Sequence, residues 1–200
     1  EESPSPAVDE ALRQRMGEVA ISIAKNINYS GAGTIEFLLD RNDNFYFLEM
    51  NTRLQVEHAV TEMITNIDIV ELQIFVAQGN KLNLAQEDIS FSGHSIEARL
   101  YAEDPEKDFL PMTGTLEFWK QSELDNVRTD SGVKTGQNIS SYYDPMIGKI
   151  ISWGTDRENA RVKLKKAIDK TVVFGIPTNK LFLSEIMSNK TFSAGEVTTS

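Results

Sequence analysis

Two glutamates and a polar run are where this 200-residue sequence could do chemistry. Glu36 lies in Thr34-Ile-Glu-Phe-Leu-Leu39 and Glu49 in Phe45-Tyr-Phe-Leu-Glu-Met-Asn51, with Arg41-Asn-Asp-Asn44 between them. Strand-forming flanks around turn residues predict a β-hairpin. A loop centred between Asn42 and Asp43 makes paired residue numbers sum to 85 (34 with 51, 36 with 49), so Glu36 faces Glu49 and Thr34 faces Asn51. Opposed strand residues have Cβ atoms roughly 4.5–5.5 Å apart, and like charges there repel. A divalent cation between the carboxylates removes that repulsion. Hard oxygen donors suit Mg²⁺ or Mn²⁺, with substrate phosphates completing the shell. Asn51 offers a third oxygen. Successive strand side chains alternate faces, so Phe45, Phe47, Glu49, Asn51 and Arg53 are expected on one face while the chain stays extended. The alternative is a solvated hairpin edge carrying two exposed glutamates. The polar cluster Glu49, Asn51, Arg53, Gln55, Glu57 and His58 favours a metal–nucleotide site.

These residues also carry a resemblance. Glu49-Met-Asn-Thr-Arg-Leu-Gln-Val-Glu-His58, followed by Val60-Thr-Glu62, resembles the signature of biotin carboxylases, which are ATP-grasp enzymes. Gly31-Ala-Gly-Thr-Ile-Glu-Phe37, Tyr101-Ala-Glu-Asp-Pro105 and Tyr142-Tyr-Asp-Pro-Met-Ile-Gly-Lys149 resemble three further family segments in the same order. The match covers roughly the C-terminal half of such an enzyme. It implies an α+β fold: residues 1–88 as the C-terminal part of an ATP-grasp domain, with an antiparallel sheet and helices, and 89–200 as a β-rich C-terminal domain. It implies Glu36 and Glu49 at ATP, with Glu36, Glu49 and Asn51 on the metal. Arg53, Gln55, the Val56 backbone and Glu57 are implied to bind bicarbonate, and Arg99 to contact biotin. The chemistry suits those roles. A guanidinium clamps a planar anion bidentately. A carboxylate such as Glu57 can accept the bicarbonate proton, so that bicarbonate attacks the γ-phosphorus of ATP and gives carboxyphosphate. A cation beside the biotin ureido oxygen stabilises the enolate. Without the family motif, Arg53 with Glu57 reads as a surface ion pair and Arg99 as an exposed strand arginine. Implied partners are a biotin carboxyl carrier protein or domain, a carboxyltransferase and a second copy of the chain.

The elements that must position these residues follow in order. Ser5-Pro6 predicts a helix start with Ser as cap. Val8, Leu12, Met16, Val19, Ala20, Ile23 and Ile27 predict its buried face. Residues 28–33 read as a turn rather than a phosphate cradle, because they open a strand. Residues 61–78 predict one largely buried helix stopped by Gly79. Residues 81–93 form a polar connector. In residues 94–102, Ile96, Ala98, Leu100 and Ala102 alternate with Ser95, Glu97, Arg99 and Tyr101, a strand pattern. Short strands follow, with Gly148 and Gly154 breaking or bounding the last. Tyr142, Tyr143 and Asp144 resemble residues near the family's biotin pocket; core packing of the two tyrosines is the equal alternative. Thr155-Asp-Arg-Glu158 predicts a capping box opening a helix with a solvated basic face. A last helix buries Leu181, Phe182, Ile186 and Met187. Glu1-Glu-Ser-Pro-Ser-Pro6 and the end at Thr199-Ser200 both look cut from something longer.

Composition bounds the function. A net charge of −10 argues against nucleic-acid or anionic-membrane partners. There is no cysteine, hence no disulfide framework or thiol chemistry; the reducing cytosol is permitted but not required by that, and a cytoplasmic location is the expectation. No apolar run is long enough to span a membrane. No Gly-rich phosphate loop is present either, so this stretch by itself is expected not to turn over. Two rivals stand beside the carboxylase. Another ATP-grasp ligase of the carbamoyl-phosphate type should lack Gln55-Val-Glu-His58 and the β-rich tail. A non-catalytic dimerisation module would show no Mg²⁺ or nucleotide response. Asp108-Phe-Leu-Pro-Met-Thr-Gly-Thr115 leans toward methylcrotonoyl-type acyl-CoA carboxylases.

Overall fold

The computed structural model describes residues 1–198, so the reading of Thr199-Ser200 lies outside the described residues. The chain forms two units, residues 4–91 and residues 92–200 with 1–3. The first three residues, which include the two-residue strand β1 (Glu2–Ser3), therefore belong to the second unit.

In the first unit, α1 spans Glu10–Asn26. Its cap is Asp9, whose carboxylate accepts the Leu12 N–H, and not Ser5. Ser5 Oγ instead accepts the Ala7 N–H in a turn. Asp caps as well as Ser does, and Asp9 sits one step before the acidic Glu10 that suits a helix start. Of the expected apolar face only Leu12 is fully buried, and Val19 and Ile27 are exposed. The hairpin strands β2 (Thr34–Leu39) and β3 (Phe45–Asn51) follow. Asp40 ties their loop by accepting the backbone N–H groups of Asn42 and Asn44. The expected single helix over 61–78 is two: α2 (His58–Thr65) and α3 (Ile69–Ala77). Asn66 takes a left-handed conformation and ends α2, and Asp68 caps α3 by accepting the Glu71 N–H. α3 has no buried residue, against the expectation that it is core. Gly79, at positive φ, does end it as expected.

The second unit is built on a four-stranded antiparallel sheet in the order β1-β4-β11-β9. Here β4 is His94–Tyr101. The short pieces β5 (Glu103–Asp104), β6 (Leu110–Pro111), β7 (Gly114–Thr115) and β8 (Phe118–Lys120) come next. Then come β9 (Val127–Ser131), β10 (Asn138–Ile139), β11 (Met146–Gly154), α4 (Arg157–Lys170) and β12 (Val172–Phe174). α5 (Lys180–Ser188) and α6 (Lys190–Ala194) close the unit. Ile96, Ala98 and Ile150 from one sheet face pack with Ala160, Leu164, Ala167, Ile168 and Met187. This is the apolar set that the alternation in β4 predicts. Gly148 lies inside β11 rather than ending it, where the neighbouring strand β9 lies so close that a Cβ would stand 2.8 Å from the Asp130 carbonyl.

Asp156, not Thr155, caps α4, accepting the Asn159 N–H. The basic face of α4 is not simply solvated. Arg157 is held by Glu2, Arg161 by Glu158 and the Met187 carbonyl, and Lys165 by Asp169. Leu181 and Phe182 are exposed, whereas Met187 is buried as expected.

Candidate functional site

The hairpin brings the two glutamates together. Glu36 pairs with Glu49 and Thr34 with Asn51, as the turn predicts. Below Glu36 the register shifts: Phe37 pairs with Phe47, Leu38 with Tyr46 and Leu39 with Phe45. The extra residue in β3 is Leu48, a β-bulge. The shift corrects the expected face. Alternation from these pairs sets Glu36, Glu49, Thr34 and Asn51 on one side with Leu38 and Tyr46. Phe45 and Phe47 share the other side with Phe37, whose ring meets Phe45 edge-on at 5.2 Å.

The amides answer the charge repulsion. Asn51 Nδ2 donates to Glu36 Oε1 at 2.7 Å and to Glu49 Oε1 at 3.2 Å. Gln55 Nε2 donates to the same Glu36 Oε1 at 2.7 Å. One carboxylate oxygen thus receives two amides, from the strand and from the loop beyond it. That second bond is a link the strand pattern could not show. Gln55 Oε1 is buried and accepts no hydrogen bond among the described residues. It is an unused acceptor at the edge of the cluster. The oxygen donors fit a hard divalent cation: two opposed carboxylates, and the Asn51 amide, which presents its oxygen once its two ends exchange. No group of three His, Cys, Asp or Glu side chains gathers among the described residues, so any cation here keeps open positions for other ligands.

The chain then turns into α2. Arg53 is exposed and its Nη1 donates to the Leu54 carbonyl at 3.3 Å. Glu57 occupies the position before the first turn of α2, and its side chain does not cap the helix. Helix N-termini present unsatisfied N–H groups and positive potential, which favours an anion beside Val56 and Glu57. His58 Nδ1 lies 2.7 Å from the Gln55 carbonyl, and Nε2 lies 3.9 Å from Glu62. His58 thus packs the turn that presents Gln55. Glu62 is buried and accepts the Ile69 N–H, joining α2 to the start of α3. A recess of about 560 Å³ lies in the same unit, lined by Tyr29, Gly31, Ile69, Leu72, Val76 and Leu82 among others. It is apolar and does not include the carboxylate pair.

In the second unit Arg99 stands on β4 with its Nη2 2.8 Å from Glu1 Oε1, and its side chain is 30% exposed. The alternation in β4 holds, but its polar face is buried as well: Ser95 and Glu97 are both nearly inaccessible. Sequence alternation alone reads such a face as solvent. Tyr142 and Tyr143 are 89% and 84% exposed, which excludes core packing for either.

A family model described as Biotin carboxylase C-terminal domain matches residues 97–200. A second, described as Carbamoyl-phosphate synthase L chain, ATP binding domain, matches residues 1–85. A biotin carboxylase of Nostoc sp. is 50% identical over 200 residues, all of this chain and 45% of that protein. The mitochondrial methylcrotonoyl-CoA carboxylase subunit alpha of Rattus norvegicus is 47% identical, with 28% of its length covered. The biotin carboxylase domain of Hydrogenobacter thermophilus 2-oxoglutarate carboxylase is a dimer solved with MgADP, ADP and bicarbonate. It superposes with a TM-score of 0.97 at 42% identity, over 99% of this chain and 44% of that one. The chain thus spans under half the length of these relatives.

Proposed function

The chain belongs to the biotin carboxylase family, and from that we propose that it supplies the metal, bicarbonate and biotin residues of an ATP-dependent biotin carboxylase. The observation that carries the proposal is the Glu36–Glu49 pair, opposed in register and bridged by Asn51, with Gln55 bonded to the same oxygen. Residues 1–88 serve as the C-terminal part of the ATP-grasp domain and 89–200 as the biotin carboxylase C-terminal domain. The similar Hydrogenobacter thermophilus domain was solved with MgADP, ADP and bicarbonate, which supports the ligand set.

Glu36, Glu49 and Asn51 would hold Mg²⁺ or Mn²⁺, which offsets phosphate charge on ATP when bound. Arg53 clamps bicarbonate, with Gln55 and the Val56 backbone fixing its orientation. Glu57 accepts the bicarbonate proton, so the anion can attack the γ-phosphorus. ADP leaves as carboxyphosphate forms, and carboxyphosphate then breaks down to CO₂ and phosphate beside biotin on its carrier. That phosphate accepts the ring-nitrogen proton of biotin, and Arg99 stabilises the ureido enolate that takes up the CO₂. The partners in this reading are a biotin carboxyl carrier protein or domain, a carboxyltransferase and a second copy of the chain. The protein works in the cytoplasm.

The test is bicarbonate- and biotin-dependent ATP cleavage by the full-length protein. Arg53→Ala and Glu57→Gln should each lower kcat about a hundredfold or more, the size of losing one group that acts on transition-state charge. Rates unchanged in both variants would overturn the assignment. The 200-residue chain alone should show no such cleavage.

A further inference from the structure

The motif that ends at Lys149 is not used by the chemistry above, yet Lys149 stands directly opposite Arg99 on β11 and β4. Cross-strand partners share a sheet face, and two cations there repel. The same face carries anions. From β9, Asp130 pairs with Lys149 and is gripped by Arg128 through two hydrogen bonds of 2.7 and 2.8 Å. From β4 comes Glu97, two residues before Arg99. Glu1 supplies a carboxylate bound to Arg99, and its backbone nitrogen donates to the Glu97 carbonyl. Lys149 Nζ lies 3.7 Å from Glu97 Oε2 and 3.6 Å from Asp130 Oδ2, so two carboxylates flank it.

Glu97 is the unusual member. Its side chain is fully buried, and neither oxygen accepts a hydrogen bond among the described residues. A buried carboxylate is normally satisfied by donors. Leaving one unsatisfied costs free energy that packing alone does not require.

We propose that Glu97 is a positioning residue for Arg99, its carboxylate holding the Lys149 ammonium away from the guanidinium that meets the biotin ureido oxygen. This rests on the reading of Arg99 as the biotin contact. Burial and the Glu1 carboxylate push the Glu97 carboxyl up, and Lys149 and Arg99 pull it down; the balance is about 7. Above that value the carboxylate holds Lys149. Below it the Glu97 charge no longer offsets that of Lys149, which bears on Arg99 more strongly.

The experiment follows the KM for biotin in the full-length protein, at saturating bicarbonate and across pH values on both sides of 7, in three variants. Arg99→Ala tests the underlying reading and should raise KM. Glu97→Gln should raise KM about tenfold, the scale of a broken contact in a coupled network, with kcat changing far less and the pH dependence of KM near 7 lost. Adding Lys149→Met to Glu97→Gln should bring KM back down, because the repelling cation is gone; a purely structural role would make the double variant worse. A raised KM in Arg99→Ala beside an unchanged KM and pH profile in Glu97→Gln overturns the positioning role alone. An unchanged KM in Arg99→Ala overturns the biotin contact and the positioning role together. Should Glu97→Gln fail to fold, Lys149→Met alone decides: its KM should lose the pH dependence near 7, and a retained dependence rejects the proposal.

Discussion

Glu2 and Arg157, 155 positions apart in sequence, are joined by hydrogen bonds of 2.6 and 3.1 Å. His94 Nε2 lies 2.7 Å from the same carboxylate, and Arg157 also stacks over Phe192 at 5.1 Å. Glu2 thus anchors β1 to α4. Glu2→Gln should cost the second unit about 2 kcal/mol, the usual scale for hydrogen bonds to a charged group. Denaturant titration of the variant against the parent sequence reads that loss. Burial raises the Glu2 carboxyl, but the Arg157 and His94 bonds outweigh it, and the net shift is downward from 4.5. A lowered carboxyl stabilises above its ordinary value and loses that contribution as pH falls through the folded value. The acid limb of the stability curve should therefore be shallower in Glu2→Gln. An unchanged limb would assign acid sensitivity to other groups.

Glu97 works with the opposite sign. Its carboxyl is raised from 4.5 to about 7, mainly by burial. The folded state then binds the proton more tightly than the unfolded state. That contribution is complete below 4.5 and disappears as pH rises through 7. Thermal midpoints of the parent sequence should fall over this window, and those of Glu97→Gln should stay flatter. Parallel curves for the two would reject the raised value.

Asn51→Leu keeps the strand but removes the amide shared by Glu36 and Glu49. The two carboxylates then face each other with less compensation, and one oxygen donor is lost. The Mg²⁺ concentration for half-maximal ATP cleavage by the full-length protein should rise about tenfold, the lower end for losing a group that supports a metal site. An unchanged Mg²⁺ requirement would remove Asn51 from the metal set.

Gly148→Ala tests the close approach of β9 beside β11. The added Cβ would meet Asp130 O at 2.8 Å and the Ser131 Cβ at 3.0 Å. Overpacking of this kind should cost about 2 kcal/mol in denaturant titration. Gly17→Ala, in α1 with nothing within 4 Å, should instead stabilise by about 1 kcal/mol. Equal effects at the two positions would deny the close approach.

The Glu36–Glu49 pairing matches a turn centred between Asn42 and Asp43, yet the strands beside the turn pair one residue off that register and the bulge restores it at the glutamates. Local chemistry could not reveal the bulge at Leu48, because alternation looks the same on either side of one inserted residue. The break between α2 and α3 turned on Asn66 adopting a left-handed conformation, which an apolar run of helical period hides. Asp9 and Asp156 displaced Ser5 and Thr155 as caps because several capping residues compete at each start. In β4 the apolar set was legible. The burial of Ser95 and Glu97 opposite it was not, since a polar face is read as solvent unless a partner such as Lys149 is known to lie across from it.

The bulge at Leu48 also separates two ends of one hairpin. On the carboxylate side, Glu36 and Glu49 stand opposed although the loop-side pairs run one residue out of step. If Leu48 were deleted, every pair from Thr34–Asn51 to Leu39–Phe45 could stand in an uninterrupted ladder. The hairpin therefore has a joint at which the turn can gain or lose a residue without moving the carboxylates. Variation in loop length can be absorbed there, and the metal-facing end stays in register.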